Sequence, residues 1–141
     1  MGGVNRRTGI AAALILAAGA ATGAGAGAAR TPASARALHV GLTEWAVVPS
    51  QGLVAAGPLR ITVRNYGRLA HELDVIPTRR WGQRLRVRHG RAVGTPVGAP
   101  VVVAPGRARA VELDLEPGSY VLLDNIRGHY SLGAAVSILA R

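Results

Sequence analysis

Apolar and polar residues alternate with a period of two along most of the chain from Leu38 onward. The alternating runs are short, and clusters rich in glycine and proline separate them. Their apolar positions are Leu38, Val40 and Leu42; Leu59, Ile61 and Val63; Val111, Leu113 and Leu115; and Val136 and Ile138. Alternate side chains of a β-strand lie on opposite faces, so each run predicts a strand with one face on a core. The pattern predicts an all-β domain, a two-sheet Greek-key β-sandwich of about eight strands.

A further run begins at His71, where the histidine shares its parity with Leu73 and Val75. Glu72 and Asp74 have the opposite parity. This arrangement predicts that His71 lies on the core face at the beginning of a strand, where a ligand at the rim of a sandwich would lie. A partly buried histidine that is hydrogen-bonded to the backbone is the alternative interpretation.

The stretch from Tyr120 to Ala134 combines an apolar strand, a tight loop and the beginning of a last strand. A Pro-Gly turn at residues 117–118 precedes it, and the loop carries one histidine, His129, between Gly128 and Tyr130. If this strand returns beside the strand that begins at His71, the two histidines lie at the same end of the sandwich.

Residues 1–35 have the pattern of an export signal. Arg6 and Arg7 form a basic beginning, and the apolar run of residues 10–21 is too short and too rich in alanine to span a bilayer comfortably. This predicts an exported protein of the periplasm, the cell surface or the extracellular space. The paired arginines also allow export by the twin-arginine route.

Cleavage is expected after Ala35, which leaves a single domain of residues 36–141. Residues 24–26 offer a second site with the small-residue pattern. An uncleaved leader that anchors the protein in the membrane is the alternative, and it is the only membrane association that the sequence suggests.

The composition excludes several kinds of chemistry. The chain has no cysteine, which rules out disulfides, thiolate nucleophiles and cysteine-ligated metal sites. No nucleophile elbow, phosphate-binding glycine loop or pair of catalytic carboxylates is recognisable, so we do not expect an enzyme. All 17 basic residues are arginines. Three of them lie in the leader, and the other 14 outnumber the 7 acidic residues.

The most basic segment lies between Arg79 and Arg91. Its arginines at positions 84, 86 and 88 alternate with Leu85 and Val87, and a tight turn at His89 and Gly90 predicts a hairpin with an arginine face. Such a face suits an acidic partner protein or a polyanion. A solvated edge strand, charged to prevent edge-to-edge pairing, explains the same pattern. With one aromatic residue the segment is a poor base-stacking platform, so we expect no specific nucleic-acid binding.

The order and spacing of several segments resemble the cupredoxins, the small blue-copper proteins. These segments are Glu44 with Trp45, the stretch from Asn65 to His71, the turns at residues 105–106 and 117–120, and Gly128, His129 and Tyr130 with Gly133. The resemblance covers nearly the whole of residues 36–141 and implies a cupredoxin-type sandwich. It also implies that His71 and His129 are the two histidine ligands of the family.

The other two family ligands are replaced. The cupredoxin loop has a cysteine, a histidine and a methionine at five-residue intervals, and on that spacing Asp124 takes the cysteine position and Ala134 the methionine position. Hard carboxylate oxygen favours Cu(II) or Zn(II) and holds Cu(I) poorly. We therefore expect a degenerate type 1 copper site of His71, Asp124 and His129 and no conventional electron transfer.

Three functional hypotheses remain open. The first is a binding or accessory protein whose former copper site is a metal-free polar cluster. The second is a carrier that binds non-blue copper or zinc through His71, Asp124 and His129. The third is a docking module for acidic partners that uses the arginine hairpin.

Overall fold

The computed structural model describes residues 36–141, so the predicted leader lies outside the described residues. The strands are β1 (Arg36–Thr43), β2 (Ala46–Pro49), β3 (Leu53–Val54), β4 (Gly57–Asn65), β5 (His71–Thr78), β6 (Val87–Arg88), β7 (Arg91–Ala92), β8 (Val101–Val103), β9 (Ala108–Leu115), β10 (Gly118–Asp124) and β11 (Ala135–Ala140). One 3₁₀ turn, Tyr130–Leu132, precedes β11. Within residues 36–141, no helix is long and apolar enough to cross a membrane.

Two sheets form the sandwich. The first has the order β2-β1-β4-β9, and the second has the order β3-β11-β10-β5-β8. Two pairs are parallel, β1 with β4 and β3 with β11, and the remaining pairs are antiparallel. The chain repeatedly crosses from one sheet to the other, which confirms the all-β sandwich that the alternating pattern predicts.

The main core lies between the two sheets. The alternating apolar residues of β1, β4 and β9 point into it and are buried, as predicted: Leu38, Val40, Leu42, Leu59, Ile61, Val63, Leu113 and Leu115. Tyr120 also belongs to this core, and its hydroxyl donates a hydrogen bond to the Glu116 carbonyl at 2.7 Å. This bond satisfies the polar end of a buried ring and fixes the corner where the chain enters β10.

A second apolar cluster covers the outer face of the second sheet. It contains Ile76, Ala92, Val121, Leu123 and Tyr130. Because the segment between β5 and β8 folds over this face, β10 is buried on both faces from Tyr120 to Asp124. The same cover buries Asp74, although its parity placed it on the face away from the main core.

The basic segment forms a hairpin, but a shorter one than the alternation indicates. The strands β6 and β7 pair over two residues each, and one further backbone bond, from the Val93 N–H to the Arg86 carbonyl at 2.8 Å, extends the hairpin. Arg84 lies before the paired stretch. His89 (φ 51°) and Gly90 (φ 77°) both adopt left-handed conformations, which suits the two-residue turn expected there. The predicted exposure of the arginines at positions 84, 86 and 88 is confirmed.

Candidate metal site

Three side chains with metal-binding atoms converge at one end of the sandwich. His71 is the first residue of β5, Asp124 is the last residue of β10, and His129 lies in the loop that follows. Antiparallel pairing of these strands places Asp124 opposite Leu73, two residues from His71. One potential ligand atom from each of the three residues lies within 4.8 Å of the others, and all three residues are buried. The structure therefore brings together the residues that the sequence predicts, and their role as metal ligands stays a prediction.

The Asp124 carboxylate holds the two imidazoles together. The Nδ1 atoms of His71 and His129 each lie 2.5 Å from the same oxygen, Asp124 Oδ2. The other oxygen, Oδ1, accepts the backbone N–H groups of Glu72 at 3.0 Å and Ile126 at 3.1 Å. Both carboxylate oxygens thus have two partners, and the two histidines present the same ring nitrogen to one point.

These contacts determine the charge of Asp124. Burial by itself would raise its pKa, but hydrogen bonds from His129, the Glu72 N–H, His71 and the Ile126 N–H outweigh burial and hold the pKa below the usual value. Asp124 is therefore an anion at neutral pH. An ionised carboxylate beside two imidazoles is a donor set that suits a divalent cation.

The loop after β10 presents His129 through backbone contacts at both of its ends. The Asp124 N–H donates to the Ala134 carbonyl at 2.9 Å, and the Ala134 N–H donates to the His129 carbonyl at 3.1 Å. Gly128 has a φ of 89°, a left-handed conformation that favours glycine at this position. The Trp45 ring packs edge-on against the His129 ring, with centroids 5.5 Å apart. Ala134 is fully buried and contributes only a methyl group.

Asn65 organises the segment that leads into His71. Its side-chain amide donates to the carbonyls of Leu69 at 2.7 Å and Val103 at 2.9 Å, and its Oδ1 accepts the Gly67 N–H at 2.8 Å. These bonds join the end of β4 to β8 and fix the turn that begins β5. Asn65 therefore positions the segment that leads into His71, and its side-chain hydrogen bonds go to none of the three cluster residues.

Asn125 joins the site loop to the basic hairpin, a role that the sequence interpretation missed. Its Oδ1 accepts the Ala92 N–H at 2.8 Å, and its amide donates to Asp74 Oδ2 at 2.8 Å. The Gly128 N–H also donates to the Gly90 carbonyl at 2.7 Å. The available signal was the sequence of two polar residues, Asp124 and Asn125, directly after a continuous apolar run.

The topology of the two sheets and the position of the histidine pair at one end of the sandwich define a protein with the cupredoxin fold. No protein-family model matches the sequence. No curated protein matches it either.

Similar solved structures share the cupredoxin fold. Auracyanin from the photosynthetic bacterium Roseiflexus castenholzii aligns with a TM-score of 0.57 at 16% identity, over 76% of this chain and 98% of that chain. Reduced rusticyanin aligns with a TM-score of 0.53 at 18% identity, over 77% and 81% of the two chains. A copper-containing nitrite reductase from Thermus scotoductus aligns with a TM-score of 0.51, although the match spans only 31% of that enzyme chain. At these identities the similarity shows the fold.

The cupredoxin fold implies copper, and the residues present match only part of a blue-copper donor set. Residues 36–141 contain neither cysteine nor methionine, so the site has no sulfur. A carboxylate oxygen occupies the point at which the two imidazole nitrogens converge. These residues do not fit a thiolate-ligated copper that cycles between Cu(I) and Cu(II). They do fit Cu(II) or Zn(II), which imidazole and carboxylate ligands accommodate.

Proposed function

We propose that this protein is a cupredoxin-like, non-catalytic binding protein that holds a divalent metal ion, Cu(II) or Zn(II), through His71, Asp124 and His129. The observation that supports the proposal is the convergence of three buried residues, each with a potential metal-ligand atom within 4.8 Å of the other two. The predicted leader supports a location outside the cytoplasm. An ion bound there would add a cross-link between β5 and the loop that follows β10.

The hydrogen-bonded cluster itself is the competing interpretation. Asp124 bonds the Nδ1 atom of both histidines in its present arrangement, so the cluster can fill the site as a polar group without a metal. A metal would have to compete with these hydrogen bonds for the Nδ1 positions. Metal affinity therefore decides between a carrier and an accessory protein with a metal-free cluster.

Metal analysis of the purified protein, followed by calorimetric titration with Zn(II) and Cu(II), tests this proposal. We expect one ion per chain in the wild type and loss of binding in His129→Asn. The double variant His39→Asn with His89→Asn is the matched control, because both of these histidines are exposed and lie outside the cluster. Absence of binding by the wild type, or equal binding by His129→Asn, would refute the metal site.

Restoring the sulfur ligands provides an independent test of the site geometry. The double variant Asp124→Cys with Ala134→Met should become intensely blue with Cu(II), whereas the wild type should not, because the colour of such sites arises from a thiolate ligand. Optical absorption after addition of Cu(II) is the measurement. A folded double variant that binds Cu(II) but remains colourless would show that these positions cannot form the blue-copper ligand set.

A second candidate function is docking to an acidic protein through the basic hairpin, residues 84–91. Arg84, Arg86 and Arg88 are exposed and have no acidic partner among residues 36–141. Arg88 lies directly opposite Arg91 across the hairpin, and like charges in that position oppose pairing of the strands. The exposed Trp81 and Val87 lie among the arginines, and this mixture of guanidinium and apolar groups is typical of protein interfaces.

Binding of an oligoglutamate peptide tests the docking candidate. Arg84→Gln, Arg86→Gln and Arg88→Gln together should weaken binding at low salt about tenfold or more, and rising salt should weaken wild-type binding. The control triple variant, Arg64→Gln, Arg107→Gln and Arg141→Gln, removes the same charge from other exposed positions. Equal weakening in both triples would mean that net charge, and not the hairpin, attracts the peptide. Stronger hairpin-dependent binding of a sulfated polysaccharide would replace the protein partner with a polyanion.

A further inference from the structure

The hydrogen bonds to Asp124 determine where the ring proton of a neutral His71 lies. Asp124 Oδ1 accepts two backbone N–H groups and its Oδ2 faces both histidine Nδ1 atoms, an arrangement in which the carboxylate is the acceptor and the Nδ1 atom of His71 is the donor in the 2.5 Å contact. A neutral imidazole carries one N–H, and therefore Nε2 carries a lone pair. This Nε2 atom is buried and has no hydrogen-bond partner among residues 36–141. A buried polar atom without a partner in a folded protein calls for an explanation.

Glu44 and Gly67 lie beside this nitrogen. A Cβ atom placed on Gly67 would lie 2.8 Å from His71 Nε2 and 2.7 Å from Glu44 Oε1, so both atoms border the space that a side chain would fill. Gly67 is not among the residues with positive φ, so its backbone conformation does not require glycine. The absence of a side chain at residue 67 instead leaves the path between the imidazole and the carboxylate open.

The Glu44 carboxylate is held as a hydrogen-bond acceptor. Its Oε1 accepts the backbone N–H of Arg68, which fixes the side chain over the turn before β5. A glutamate carboxyl is ordinarily an anion at neutral pH, and its oxygens can then only accept hydrogen bonds.

Metal binding through Nδ1 would reverse the proton arrangement on His71. A nitrogen that binds a metal must provide its lone pair, so a neutral His71 ligating through Nδ1 carries its proton on Nε2. That N–H is buried, and a buried donor without an acceptor costs about 1–3 kcal/mol. Ligating histidines usually donate their second N–H to a carboxylate, a backbone carbonyl or a water molecule.

We propose that Glu44 is the acceptor for the Nε2–H of His71 in the metal-bound protein, and that Gly67 is required because it leaves this contact open. Glu44 is then a positioning residue that fixes the tautomer and the ring orientation of His71. This inference rests on the proposed metal site and adds to it a carboxylate outside the three ligands.

Zinc titration of Glu44 variants is the first test. Glu44→Ala should lower Zn(II) affinity about 10- to 100-fold, the usual effect of removing such an outer partner. Glu44→Gln keeps an acceptor oxygen and should bind more tightly than Glu44→Ala. Glu112→Ala removes an exposed carboxylate on β9 and should bind as the wild type does. Gly67→Ala, which places a methyl group between the two side chains, should reproduce the loss without a change at residue 44.

Nitrogen NMR of the His71 ring provides a readout that is independent of affinity. The metal-free protein should show the proton on Nδ1, and the zinc-bound protein should show it on Nε2 with slow exchange against solvent. Faster exchange of this proton is expected in zinc-loaded Glu44→Ala. In Glu44→Gln, the amide oxygen should preserve slow exchange.

The outcomes separate this inference from the metal site itself. A wild type that binds no Zn(II) would refute the proposed function, and the role of Glu44 with it. Wild-type binding together with an unchanged affinity and an unchanged Nε2–H exchange rate in Glu44→Ala would overturn the role of Glu44 and leave the metal site standing. If Glu44→Ala does not fold, the Zn(II) affinities of Glu44→Gln and Gly67→Ala test the role of Glu44 in its place. Wild-type affinity in folded Gly67→Ala would then overturn the proposal.

Discussion

Asp74 and Asp124 lie near each other on neighbouring strands, yet the protein shifts their pKa values in opposite directions. Four hydrogen bonds compensate Asp124 for burial and lower its pKa. Asp74 accepts one hydrogen bond, from Asn125, and its Oδ1 has no partner among the described residues. Burial therefore dominates at Asp74 and raises its pKa. The direction of each pKa shift therefore depends on the number of hydrogen bonds that the carboxylate accepts, and not on burial alone.

The raised pKa of Asp74 predicts a pH-dependent loss of stability. Below about pH 4, where an unfolded aspartate is also protonated, the group adds no ionisation cost to folding. As the pH rises through the pKa of the folded state, the buried carboxyl must ionise. The folded protein then loses the stability that it has in acid, where Asp74 is uncharged. Asp74→Asn keeps the acceptor for Asn125 and should raise the free energy of unfolding at neutral pH by about 1 kcal/mol.

Urea unfolding at several pH values measures this effect. The advantage of Asp74→Asn over the wild type should disappear in acid, and the exposed Asp114→Asn should show no comparable gain. A variant that is less stable than the wild type at neutral pH would contradict the assigned cost of the buried carboxylate.

At the scale of elements, the loop after β10 and the hairpin of β6 and β7 behave as one packed unit. Asn125 bonds both backbone groups of Ala92, the Gly128 N–H bonds the Gly90 carbonyl, and the Tyr130 hydroxyl accepts the Leu85 N–H. The short hairpin alone has too few backbone bonds to be stable. Its attachment to the loop that carries His129 provides the missing stabilisation.

Removing the Asn125 side chain should therefore loosen the hairpin. Asn125→Ala leaves the Ala92 N–H and one Asp74 oxygen without their partner, and we expect a loss of about 2 kcal/mol in the free energy of unfolding. Hydrogen exchange should accelerate first at the backbone amides of the hairpin and only slightly in β1 and β4. The control is Gln83→Ala in a loop, because the Gln83 side chain bonds the nearby Arg79 N–H and no other group among residues 36–141. Uniform acceleration throughout the domain would contradict a local clamp.

At the scale of the whole molecule, charge is unevenly distributed. No acidic residue occurs from residue 75 to residue 111, a stretch that contains eight arginines, whereas three acidic residues follow between Glu112 and Glu116. The described residues carry 14 arginines against 7 acidic residues, so repulsion among like charges opposes the compact state. We therefore expect that the fold does not require all of the exposed arginines.

Replacing Arg84, Arg86 and Arg88 together by glutamine should leave the free energy of unfolding within about 1 kcal/mol of the wild type. The reason is that all three side chains are exposed and make no ion pair among residues 36–141. Urea unfolding is the measurement, and Arg91→Gln, which loses the ion pair with Glu72, is the comparison. A larger loss in the triple variant would mean that these arginines are packed or paired.

The sequence by itself determined the fold class and most of the site. Alternation along β1, β4 and β9 assigned the core residues because side-chain direction in a strand depends only on position along the chain. The parity of His71 placed it on the core face, and the resemblance to the cupredoxin ligand loop implied that Asp124 and His129 join it in the cluster. These features are local, or depend on a regular register, and a single chain records them directly.

Only the tertiary structure decided which distant side chains meet and what each meeting does to charge. The cover over the outer face of the second sheet buries Asp74 and brings Asn125 to the hairpin, although alternation indicated only that Asp74 lies away from the main core. The turn before β5 brings Gly67, Glu44 and His71 Nε2 together across three separate segments. Contacts of this kind depend on loop paths and on packing between sheets, and no periodicity along the chain encodes them. The same holds for the carboxylate of Asp124, because only its position between two imidazoles and two backbone N–H groups keeps it ionised while buried.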